Sequence, residues 1–193
     1  MRHRQILLSL FVAMIVIVLT NNIGISEPDP FIDSAVYSQD GYDEIILVED
    51  GRDNATFFKY LIINDYSEAP ENWSKTDFND SAWSFGAAPF GDRTYNGVTP
   101  NTDWDTSGDN NKVILIRHEF YLSNEIIISA EFDAAFTNYC TPFINGNQIY
   151  SERGGNSHGM EYWNDDGNEE IPTDMFNQGQ NVLAVYGRDY VYG

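Results

Sequence analysis

The sequence predicts an all-β fold, a β-sandwich, and three observations point there. Beyond residue 26, short apolar runs of strand length alternate with turn signals, and none sustains a 3.6-residue period. At 42% hydrophobic and 15% aromatic, the 193 residues can bury a core for one domain, which argues against wholesale disorder. The third observation is residues 77–91, where Asn79, Asp80, Gly86, Pro89 and Gly91 keep bending a backbone that carries Phe78, Trp83, Phe85 and Phe90. That stretch reads as an ordered strap laid across the sandwich, with its aromatics plugged into the core.

The N-terminus reads as an address rather than as fold. Arg2, His3 and Arg4 precede residues 6–19, which are apolar apart from Ser9, and Gly24-Ile25-Ser26 offers small residues for cleavage. This is the layout of a secretory signal. The apolar run is 14 residues, short of the roughly 20 needed to span a bilayer; an uncleaved anchor extending to Ile25 is the alternative. Residues 1–26 are therefore assigned to a signal peptide, 27–43 to an acidic linker containing Pro28 and Pro30, and 44–193 to the folded domain. A secreted or cell-surface location is expected, with no membrane insertion of the mature domain.

Within the domain, residues 44–48 form a short apolar strand turned by Asp50-Gly51, and residues 55–64 a second one rich in aromatics. The strap follows, introduced by Pro70 and Trp73. Residues 93–111 read as a long polar loop carrying two exposed-looking aromatics, Tyr95 and Trp104. In residues 112–120, alternation places Val113, Leu115 and Arg117 on one face and Ile114, Ile116, His118 and Phe120 on the other. Strands at 125–132 and 139–144 come next, then the hairpin signal Asn145-Gly146 leading into 148–150. Residues 153–168 form a second long loop. Residues 175–179 read as one helical turn ending at Gly179, and 181–186 as a clean last strand.

Removing residues 1–26 takes Arg2 and Arg4 and no acid, leaving 8 basic against 30 acidic residues, a net −22. Such a surface repels nucleic acid and anionic membranes, so no nucleic-acid partner is expected. A solvated acidic coat is the plain reading; high-salt surroundings or divalent cations are the others. Cys140 is the single cysteine, so no internal disulfide can form, and its setting among large residues reads as a buried small hydrophobe.

Taken in order, Trp73, Asp77-Phe-Asn-Asp-Ser-Ala-Trp83, Pro89-Phe-Gly91, Arg117-x-x-Phe120, Phe143-Ile-Asn-Gly146 and Gly179-x-Asn-Val-Leu-Ala-Val185 resemble the galactose-binding-like jelly-roll modules. These accompany catalytic domains in glycosidases of the β-galactosidase kind and occur in secreted multidomain proteins. The resemblance covers roughly residues 44–189 and implies a jelly-roll β-sandwich serving as a non-catalytic accessory. Two departures stand out. Residues 134–138 lack the acidic turn many relatives carry, and the chain stops at Gly193, where a jelly roll would add a closing strand. Either that strand is rearranged or the chain is a fragment with an open core edge, and the fragment is favoured.

Such folds bind sugars through loops at one end, with aromatic faces for C–H groups and polar side chains for hydroxyls. The two long loops offer Tyr95, Trp104, Arg153, Asn156, His158, Tyr162 and Trp163 as ligand-binding candidates, against the plain alternative that Tyr162 and Trp163 pack under their own loop. Asp103, Asp105, Ser107 and Asp109 place oxygen donors around Gly108 in the manner of a calcium loop, although Ile114 stands where a closing glutamate would be needed. Neither a nucleophile elbow nor a phosphate loop is present, and no acid pair is singled out among the many carboxylates. The expected function is carbohydrate binding by a non-enzymatic surface module, with calcium as a structural ion. The alternatives are an adhesive protein–protein domain of a larger chain, or the detached accessory domain of a glycoside hydrolase.

Overall fold

The computed structural model describes residues 11–20, 36–39, 42–48, 56–91, 99–104, 112–123, 126–136, 139–150, 153–154 and 169–188. Through them run strands β1 (Phe11–Thr20), β2 (Val36–Gln39), β3 (Tyr42–Val48), β4 (Phe57–Ile63), β5 (Ser84–Ala87), β6 (Phe90–Gly91) and β7 (Thr102–Asp103). They continue as β8 (Val113–Leu122), β9 (Ile126–Phe136), β10 (Tyr139–Ile144), β11 (Asn147–Gln148), β12 (Arg153–Gly154), β13 (Glu169–Glu170) and β14 (Gly179–Arg188). Among the described residues the fold is all-β, apart from short 3-10 turns at Tyr66–Glu68 and Thr173–Met175. No helix among them is long and apolar enough to cross a membrane.

The strands form two sheets. One runs β13-β9-β1-β3-β2, with β6 paired to β1 and β7 parallel to β6; the other runs β11-β10-β14-β8-β4-β5, with β12 on β10. A buried cluster draws on both: Val48, Phe90, Trp104, Phe132 and Ala134 from the first sheet, and Phe58, Ile114, Ile116, Cys140, Leu183 and Val185 from the second. That shared core is what a β-sandwich requires. The period-2 reading of residues 113–120 holds. Ile114 and Ile116 enter the shared core, while Val113 and Leu115 enter a second cluster on the opposite face of their sheet. Cys140 is fully buried, as expected of a small hydrophobe.

The strap makes that second cluster possible. An antiparallel sheet packed on one side leaves its other face to water, yet here Trp73, Phe78 and Trp83 cover Ile63, Leu115, Val182, Ala184 and Tyr186. Ring contacts fix the cover: Trp73 lies edge-on to Phe143 at 5.6 Å and Phe78 edge-on to Trp83 at 5.5 Å. Arg117 then ties the strap down from beneath. Its Nε donates to Asp80 Oδ2 at 2.9 Å, its Nη1 donates to the carbonyls of Trp73 and Lys75, and its guanidinium sits over the Phe78 ring. Beside this pair Asn79 caps the bend of the strap, accepting from the Ser81 N–H at 3.0 Å.

The hairpin signal also holds. Asn145 and Gly146 take φ of 52° and 85° between β10 and β11, the left-handed pair that a two-residue turn needs. Asn145 does more than turn. Its amide donates to Met175 O and Asn181 Oδ1 and accepts from the Val182 N–H, binding the hairpin to β14.

One expectation is corrected. The helical turn placed at 175–179 is a 3-10 turn at Thr173–Met175, and Gly179, at φ 95°, opens β14 instead of closing a helix. Strand β2, at Val36–Gln39, pairs with β3, which begins at Tyr42. Residues 11–20 form β1 between β9 and β3. A run of consecutive apolar residues suits a signal segment and a central strand alike, so periodicity does not separate the two.

Candidate functional site

The most distinctive surface feature lies where β4 meets the edge strand β5. Phe57 opens β4 and Phe85 is the second residue of β5; the register sets Phe57 opposite Ala87 and Lys59 opposite Phe85. Alternation therefore brings Phe57, Lys59 and Phe85 to one face, with the two phenylalanines on a diagonal within ring reach. Their rings stack 5.3 Å apart and 6° from parallel, and they are 51% and 64% exposed. The strap's cover reaches Leu61 and Ile63 on this face but not Phe57.

Both strands are held firmly beneath the pair. A Cβ added to Gly86 would lie 2.6 Å from Thr102 Oγ1, so only glycine lets β5 approach β7 this closely. The same Thr102 hydroxyl donates to Ala87 O at 2.7 Å, and Asn101 Nδ2 donates to Ala88 O at 2.6 Å. On the other strand, His118 Nδ1–H donates to the Phe57 carbonyl at 2.9 Å while its ring lies 5.2 Å from Phe58. Burial pushes the His118 imidazole below its ordinary value of 6.5, outweighing the Phe57 carbonyl and Glu119, which favour the charged form. A neutral imidazole thus anchors the start of β4. The result is a braced, exposed aromatic pair at the sheet edge, with the Lys59 ammonium on the same face held to the Asp80 carbonyl.

The sequence-derived candidates are distributed differently. Trp104 was expected to be exposed; it is 3% exposed and part of the shared core, its backbone N–H donating to Gly91 O as β7 runs alongside β6. Its Nε1 is buried without a hydrogen-bond partner. A face so enclosed cannot serve as a platform. Asp103 is exposed at the end of β7, and the backbone of Arg153 lies in β12, opposite Cys140 of β10. Tyr95, Asn156, His158, Tyr162 and Trp163, with Asp105, Ser107 and Asp109, lie outside the described residues. Among the described residues, no group of three His, Cys, Asp or Glu side chains could hold a metal ion.

Phe85 is a second correction. It was counted among the strap aromatics that plug into the core, and of those only Phe90 is fully buried, with Phe78 and Trp83 half-buried. Sequence pattern carried no signal for this, since Phe57 shares strand parity with Leu61 and Ile63, which the strap does cover.

No family model matches the chain, and no curated protein matches it.

Proposed function

We propose that this chain is a non-catalytic carbohydrate-binding module of the galactose-binding-like jelly-roll type, displayed outside the cell. The observation that carries the proposal is the exposed, near-parallel Phe57–Phe85 pair on a braced sheet edge. Aromatic faces of this kind pack against the C–H groups of a sugar ring, and rigidity lowers the ordering cost of binding. Lys59, opposite Phe85 in the register, has its ammonium turned to the Asp80 carbonyl of the strap, so the aromatic pair itself is the proposed contact surface. The loop residues Tyr95, Arg153, Asn156, His158, Tyr162 and Trp163 belong to the same proposal as a separate, loop-end surface. Calcium at Asp103, Asp105, Ser107 and Asp109 is proposed as a structural ion there. Screening the full chain and its Phe57→Ala/Phe85→Ala variant against a broad glycan array tests the reading. Retention that the double variant abolishes supports it; retention of no glycan overturns it.

Burial of Trp104 favours a second reading, because it removes one aromatic from the loop-end surface. In that reading the module is an adhesive domain of a larger surface protein, and the Phe57–Phe85 edge meets a protein partner.

A further inference from the structure

The first sheet is joined through its middle by β1. Every residue from Phe11 to Thr20 is in register with β9, from Phe11↔Phe136 to Thr20↔Ile126, while Ile15 through Leu19 are in register with β3. Strands β3 and β9 are not neighbours of each other, so β1 spans a gap one strand wide, antiparallel to both walls. The segment that fills it is the one whose composition is that of an export signal.

We infer that this gap is a binding site for an extended apolar strand, and that removing the leader opens it to a strand supplied in trans. Without β1, the facing edges of β3 and β9 hold backbone donors and acceptors with no sheet partner, the arrangement that templates strand addition. The walls also set the chemistry of the guest. Glu131 stands opposite Val16 and Asp133 opposite Met14, while Glu44 stands opposite Val18 and Asp43 opposite Leu19. An acidic guest would set like charges directly across both ladders. The site therefore selects an uncharged or basic segment, apolar at consecutive positions and about ten residues long. Residues 11–20 carry no charge, whereas the rest of the chain holds all 30 acids. The proposal rests on the export reading of the leader and is independent of carbohydrate binding.

The test uses the full chain with a protease site inserted between β1 and β2, cut after purification. The probe is a fluorescent peptide of residues 11–20 with lysines added at each end. The cut protein takes up the peptide and its Tm rises with peptide concentration, by several degrees at about a hundredfold excess over Kd. The uncut chain takes up little, because its own strand competes at high effective concentration. A peptide carrying Val16→Glu binds at least about tenfold more weakly. No uptake by the cut protein, equal uptake of the glutamate peptide, or aggregation that the peptide does not prevent would overturn the inference. Val16→Pro in the uncut chain provides a second check: a proline inside a central strand lowers Tm, and an unchanged Tm counts against a seated β1.

Discussion

Arg117 Nε and Asp80 Oδ2 meet at 2.9 Å, with the Arg117 side chain wholly buried and that of Asp80 13% exposed. This pair joins the second sheet to the strap that covers it. Its value lies in what it prevents, because a guanidinium enclosed under Phe78 has no water to turn to. Asp80→Ala therefore leaves a buried charge held by backbone carbonyls and the more distant, half-exposed Glu119 carboxylate, and should cost about 3 kcal/mol in urea unfolding. Asp80→Asn keeps an acceptor and should cost clearly less. Limited proteolysis should cut the strap first in the alanine variant.

Asn145 and Asn181 form a closed amide network. Asn181 Oδ1 accepts from Asn145 Nδ2 and the Asn177 N–H, and its Nδ2 donates to the carbonyls of Asn177 and Gly179. The Asn181 side chain is wholly buried and truncating it removes bonds to three half-buried or exposed partners at once, so Asn181→Ala should lose about 2 kcal/mol. The Asn145→Ala/Asn181→Ala double variant should lose less than the sum of the two single losses, measured by chemical denaturation as a double-mutant cycle.

Gly86→Ala should destabilise by about 1–3 kcal/mol through overpacking against Thr102. Pairing it with Thr102→Ala removes both nearest atoms and should recover part of the loss, although the hydroxyl's bond to Ala87 O is then gone. Thermal unfolding of the three variants separates steric from hydrogen-bond effects. Recovery would confirm that β5 is held against β7 by contact and not by its own propensity.

The His118 imidazole is held below its ordinary value by burial, so the unfolded chain binds its proton before the folded one does. Stability contributed by the neutral ring is present in full above about pH 6.5 and falls as pH drops from there towards the depressed folded value. His118→Gln should flatten this part of the stability–pH curve relative to the parent. A parent curve that matches the variant between pH 7 and pH 5 would show that the ring stays solvated.

Phe57 and Phe85 are each more than half exposed. Replacing Phe85 with alanine should change folding stability by about 0.5–1 kcal/mol, the value of an aromatic pair contact, while removing a large share of glycan retention. Equal losses in stability and binding would instead assign the stack a purely structural role.

The local chemistry of the chain determined a good part of this architecture. Asn145-Gly146 encodes its turn because two left-handed residues in a row suit almost nothing else, and the alternation from Val113 to Phe120 sorts its own faces. Cys140 reads as buried from its neighbours alone. Tertiary structure decided the rest, since each remaining feature depends on a partner far along the chain. Phe85 looks like a core residue until β5 becomes an edge strand that the strap does not cover, and Trp104 looks exposed until β6 draws β7 inward. Asp80 meets Arg117 across 37 positions of sequence, and no local pattern announces such a bond. Residues 11–20 show the limit most clearly: an unbroken apolar run suits an export signal or a central strand equally well, and its pairing with β3 and β9 depends on segments far along the chain.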